Sequence, residues 1–151
     1  MRKLIATAAG ILAGAGVALA LQGAPAAAQD TMSSHYGGLR DHCAGTKLES
    51  HKIKNKRGRA VGRTELWYSP IKGGQNCVMT YNRAGSPFTR ARIWRLKRKG
   101  GLASAASGDE GFYRYYAGGS FVNRADGKCV TWGGSVGNFS WYSSAEGVHC
   151  G

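Results

Sequence analysis

From residue 29 to its end the chain carries 16 Leu, Ile, Val and Met residues beside 15 Phe, Trp and Tyr residues. A core built from that stock draws heavily on aromatic rings. The same stretch holds 20 glycines, about 16% of its residues against a usual ~7%. Glycine weakens helix interiors, whereas aromatic side chains suit a half-buried pleated surface, so short strands joined by tight turns are favoured over helices.

The first 28 residues read as an export signal rather than as part of the fold. Met1, Arg2 and Lys3 make a cationic start, residues 4–21 are uncharged and rich in Ala, Gly and Leu, and Ala24, Ala26, Ala27 and Ala28 supply the small side chains a signal peptidase accepts. Cleavage is expected after Ala28. The remaining 123 residues hold 19 basic and 8 acidic side chains, a net charge of +11. No second apolar run follows, so no membrane association is expected after cleavage.

All four cysteines, Cys43, Cys77, Cys129 and Cys150, lie in this exported part. An even number of cysteines in an oxidising compartment reads as two disulfides. Three pairings are possible, and the sequential one, Cys43 with Cys77 and Cys129 with Cys150, is the expectation. Zinc is not expected, because there is no C-x-x-C pair and oxidation competes for the thiols.

Along the chain, residues 29–63 are expected to form an irregular basic arm, the part after Cys43 being polar and without apolar periodicity. Regular structure is expected from residue 64 to 151. Strands are predicted over 63–69 and 76–81, separated by the turn sequence 70–74, then over 88–97. The Gly/Ala/Ser-rich segment 100–111 is predicted to be an excursion. Further strands are predicted over 111–117, 120–125, 128–132 and 139–143. The fold class is therefore all-β, a small antiparallel sandwich or barrel of short strands with two disulfides.

The runs YRYYAGG (113–119), ADGKCVTWGG (125–134) and WYSSAEGVHCG (141–151), with LWYSPIKGGQNCVMTY (66–81), resemble the spore-associated protein family of filamentous actinomycetes. The resemblance covers roughly residues 64–151. It implies a small exported protein associated with spores or the cell surface, with no enzymatic activity to carry over. Gly119 stands where the family pattern has proline, and 52–63 and 90–99 are more basic than that pattern requires.

The basic residues are segregated. Residues 47–63 and residues 90–99 each carry a net +6, so the rest of the exported chain is close to neutral. The candidate polyanion-binding residues are Lys52, Lys54, Lys56, Arg57, Arg59 and Arg63 in the first segment. In the second they are Arg90, Arg92, Trp94, Arg95, Lys97, Arg98 and Lys99. If the two segments formed one patch it would attract acidic polymers through counterion release. Trp94, between Arg92 and Arg95, is the one tryptophan assigned to such a surface; Trp67, Trp132 and Trp141 are assigned to the core.

No nucleophile constellation or cofactor fingerprint is present, so no catalytic residue, metal or cofactor is expected. His51 or His149 with Glu65 or Glu146 would be the set a small basic nuclease needs for proton transfer at a phosphodiester. The glycine pairs 118–119 and 133–134 are read as turns or bulges rather than phosphate cradles. The function predicted is that of a secreted, non-enzymatic spore- or cell-surface-associated protein that binds acidic envelope polymers, with nucleic acid bound non-specifically. The alternatives are a secreted protease inhibitor acting through a loop such as 82–89, and a small basic secreted nuclease.

Overall fold

The computed structural model describes residues 42–83 and 85–151. The export signal and the start of the basic arm lie outside the described residues. Eight strands follow in order: β1 (Thr46–Lys54), β2 (Ala60–Ser69), β3 (Gln75–Asn82), β4 (Phe88–Leu96), β5 (Ala103–Phe112), β6 (Tyr116–Asn123), β7 (Val130–Val136) and β8 (Phe139–Tyr142). They form two four-stranded sheets, ordered β1-β2-β3-β6 and β5-β4-β7-β8. Every pairing is antiparallel. No helix occurs among the described residues, and so none there is long and apolar enough to cross a membrane.

The sheets pack face to face around Leu66, Val78, Ala91, Ile93, Ala117, Val122, Val130 and Trp132. Trp132 is the only aromatic side chain among those fully buried. The expectation of a core made largely of rings is thus corrected. The space between the sheets is filled by aliphatic, Thr and Ser side chains, and the remaining tryptophans are only partly covered. Thr64 and Thr80 face each other there, the Thr80 hydroxyl donating to Thr64 Oγ1 at 3.1 Å, so that two buried hydroxyls satisfy one another. A second cluster, Cys43, Cys77 and Met79, lies against Trp67, Tyr81, Tyr116 and Phe121.

Both disulfides have the sequential pairing, Cys43–Cys77 and Cys129–Cys150. Closing loops of 34 and 21 residues removes about 3–4 kcal/mol of unfolded-state entropy each in the chain-entropy model.

Several expected strand boundaries are corrected, most of them at the sheet edges. Residues 46–54, expected to be irregular, form the edge strand β1, and β2 begins at Ala60 rather than at residue 63. Only Ile53 of β1 is buried, so the segment has no apolar period to detect; its structure comes from the ladder to β2, and its lysines suit an exposed edge. The intervening turn is closed by Asn55, whose Oδ1 accepts from the backbone N–H of Arg57 and of Arg59 at 3.0 Å each, while Gly58 adopts φ +75°. Most of the segment 100–111, expected to be an excursion, instead belongs to the other edge strand, β5, which pairs with β4 along its length. Backbone hydrogen bonds hold Ala, Ser and Gly as well as they hold larger residues.

The strand predicted over 111–117 straddles the end of β5, the turn at 113–115 and the start of β6, and the strand predicted over 120–125 falls on the second half of that same β6 and just beyond it. A register shift opposite Val78 and Met79 keeps it continuous at Gly118, where a Cβ would lie 2.5 Å from the Val78 carbonyl oxygen. Likewise β7 runs through Gly133 and Gly134 instead of turning there.

Trp132 supplies the largest fully buried side chain. Replacing it with Ala is expected to cost about 3–5 kcal/mol, read as a lowered urea midpoint with both disulfides intact. A loss below ~1 kcal/mol would show that the two sheets do not depend on it.

Candidate functional site

The first basic segment is carried by the β1–β2 hairpin. Lys52 and Arg63 are register partners and lie on the face of the sheet opposite to buried Ile53 and Thr64. The Arg63 guanidinium lies 4.3 Å from the Tyr81 ring centroid and donates from Nε to Glu65 at 2.9 Å. Glu65 also meets Lys47 at 3.5 Å. Lys54 ends β1, and Lys56, Arg57 and Arg59 are exposed in the turn. Arg83, just beyond β3, joins them: its backbone N–H donates to the Val61 carbonyl at 3.1 Å. It shares one hollow with Lys52, Arg63 and Tyr81 and another, of 630 Å³, with Arg59, Val61, Val136 and Phe139. Among the described residues no carboxylate pairs with Lys52, Lys54, Lys56, Arg57, Arg59 or Arg83. Arg83 escaped the sequence reading because it stands outside any charge run.

The second segment behaves differently. On β4, Thr89, Ala91 and Ile93 are buried between the sheets, so Phe88, Arg90, Arg92 and Trp94 point away from the core. Arg90 and Arg92 both meet Glu110 of β5, at 2.9 and 2.6 Å. The Arg92 guanidinium is the main reason the Glu110 carboxyl is held below the usual carboxylate range. Arg95 caps the backbone carbonyls of Asn123 and Arg124 and donates to Ser104 Oγ at 3.0 Å. It is a structural group rather than a free cation. Lys97, Arg98 and Lys99 lie exposed in the β4–β5 connection.

The two segments therefore do not make one patch. One projects from the outer face of the first sheet and the other from the outer face of the second. Their turns also sit at opposite strand ends, because Gly62 pairs with Asn82 at the end from which β4 starts, whereas 97–99 follow the far end of β4.

Two of the histidines do converge, though not on the acids named from sequence. His51 Nε2 lies 3.1 Å from Glu49 Oε2 and His149 Nε2 lies 2.8 Å from Glu49 Oε1. The His51 ring stacks on Trp141, centroids 3.7 Å apart and planes 8° from parallel. This contact ties edge strand β1 to the segment that ends in the second disulfide. Glu65 is engaged by Lys47 and Arg63, and Glu146 is exposed in the loop that follows β8. Buried Asp109 accepts from the Gly118 N–H at 2.8 Å and the Tyr113 hydroxyl at 2.7 Å, and burial together with this bond pushes the Tyr113 phenol well above its ordinary range. Among the described residues no group of three or more His, Cys, Asp or Glu side chains is placed to hold a metal ion.

No protein-family model matches the chain, and no solved structure matches it. A curated protein does match. This chain is similar to Spore-associated protein A of Streptomyces coelicolor. The two are 37% identical over 93 residues, which make up 61% of this chain and 55% of that protein. The chain thus spans about half the length of the curated relative it matches. The match supports the resemblance to a spore-associated actinomycete family. The runs that carry that resemblance fall on the β2–β3 hairpin with Cys77, on the start of β6, and on the Cys129–Cys150 loop, which are scaffold positions.

The lowered Glu110 has a consequence for pH. A carboxyl whose folded pKa lies below its unfolded value contributes stability that is fully present above the unfolded value and is lost as pH falls through the folded one. Glu110→Gln is expected to lower the melting temperature slightly at neutral pH, the pairs being exposed, and to leave wild type and variant equal in strong acid. A gap that persists in strong acid would mean that Glu110 acts through something other than its charge.

Proposed function

We propose that the protein works at the spore or cell surface by binding acidic envelope polymers through charge, without catalysing a reaction. The observation that carries this reading is the group of six cations on β1, its turn and Arg83 that have no acidic partner among the described residues. Unpaired cations held close together repel one another, and a polyanion relieves that repulsion while releasing its own counterions. The similarity to Spore-associated protein A supports the association with spores, and two disulfides with a basic exported chain suit an extracellular setting. Nucleic acid would be held by the same charges and without sequence preference. The first basic segment is the favoured binding surface in this reading, since Arg90, Arg92 and Arg95 of the second are already engaged and only Lys97, Arg98 and Lys99 there lack an acidic partner among the described residues.

Neither alternative has comparable support. The 82–89 segment suggested for protease inhibition is tethered at its base, the Asn82 side-chain amide donating to the Tyr113 carbonyl at 2.8 Å. The nuclease reading gains the convergence of His51 and His149, but both Nε2 atoms are spent on Glu49.

Binding to poly(glycerol phosphate) across a salt series tests the proposal. Changing Lys52, Lys54, Arg59 and Arg83 to Gln is expected to reduce the slope of log affinity against log salt by roughly three, at ~0.7–0.9 per lost contact. Changing Lys97, Arg98 and Lys99 is expected to leave most of it. An unchanged slope in the first variant, or RNA turnover lost in His51→Ala, would overturn the reading.

A further inference from the structure

The outer face of the second sheet carries a feature that charge does not explain. Arg92 lies in register between Gly108 of β5 and Gly133 of β7, and Gly133 in turn lies opposite Tyr142 of β8. Neither glycine has a side chain of its own, and the space a Cβ would take at Gly133 is filled by Tyr142, whose Cδ1 would stand 2.6 Å away. At Gly108 a Cβ would stand 3.2 Å from Arg92 Cγ, so even Ala would crowd the arginine. Two aromatic rings stand beside this floor. Trp94 is partly exposed and Tyr142 is 38% exposed, with centroids 6.1 Å apart and planes inclined at 55°. A hollow of 380 Å³ opens between Trp94, Arg92, Gly108 and Glu110.

Its polar groups are left partly unused. Arg90 and Arg92 both contact Glu110 through Oε2, and no side chain among the described residues donates to Oε1.

We propose that this face is a glycan-binding groove, with Trp94 and Tyr142 stacking against the C–H faces of pyranose rings and Arg92 and Glu110 bonding ring hydroxyls. Paired donors and acceptors on a carboxylate and a guanidinium suit vicinal hydroxyls, each of which gives and takes a hydrogen bond. A polyanion suits the face less well, because Glu110 offsets one of its two arginines and presents a free carboxylate oxygen. The groove is on a different sheet from the cationic hairpin, so it stands or falls independently of polyanion binding.

Tryptophan fluorescence titration with hexamers of β-1,4-linked N-acetylglucosamine and of β-1,4-linked glucose tests the proposal in about 1 M salt, where charges are screened beyond ~3 Å. Wild type is expected to bind at least one hexamer. Trp94→Ala and Tyr142→Ala are each expected to weaken binding about tenfold, and Glu110→Gln severalfold. The Lys52, Lys54, Arg59 and Arg83 variant is expected to bind as wild type does. Tyr142→Ala removes the more exposed ring, so its loss of affinity in a protein with unchanged circular dichroism separates a stacking role from misfolding. Binding of neither hexamer, affinity unmoved by Tyr142→Ala, or tighter binding of oligothymidine than of both glycans would overturn the proposal.

Discussion

The two sheets approach so closely in places that no side chain fits between them. A Cβ on Gly134 would stand 2.0 Å from Thr80 Oγ1, and one on Gly62 would stand 2.7 Å from Val136 Cγ2. The core holds threonines, aliphatic side chains up to Leu, Ile and Met, and one tryptophan. The close approach decides where the other rings go. Trp67, Trp94, Trp141, Tyr81, Tyr116 and Phe121 sit at half-exposed positions, because interiors are packed to crystal-like density and a thin interlayer has no volume left for them.

The displaced rings shape both outer surfaces. On the first sheet Arg63 lies over Tyr81 and Lys47 beside Trp67; on the second Arg90 lies beside Phe88. Long basic side chains thereby cover apolar ring surface with their stems and keep their charged ends in water. The difference between the surfaces is one carboxylate. Glu110 engages two arginines on the second sheet, whereas the β1–β2 turn and Arg83 have no counterpart. One surface is consequently a charge-compensated aromatic groove and the other a band of free cations.

The termini of the described fold are held by contacts that span the sequence. Cys43 is bonded to β3, Cys150 to the approach of β7, and Glu49 joins His51 to His149 across 100 residues. These links close the two ends of the sandwich where β1, with a single fully buried side chain, has little apolar burial of its own.

The all-β class, the turn at 70–74, the central strands β2, β3 and β4, and the presence of two disulfides were legible in the residues, because glycine, aromatic and β-branched side chains and an even cysteine count act locally or by composition; which of the three pairings holds is a property of the fold. The edge strands were not. β1 is written in lysines and β5 in alanine, serine and glycine, and each exists because a neighbour offers a row of backbone donors and acceptors. The segregation of charge was likewise visible in the sequence, but whether the two basic runs would merge depended on which sheet each strand joined. Tertiary structure alone placed Glu110 against two arginines, brought Arg83 to the hairpin, set Tyr142 beside Trp94 and gathered two histidines on Glu49. Apart from His51 with Glu49, neighbours on β1, each of those contacts joins residues on different strands or loops, and only the packing order of the strands carries that information.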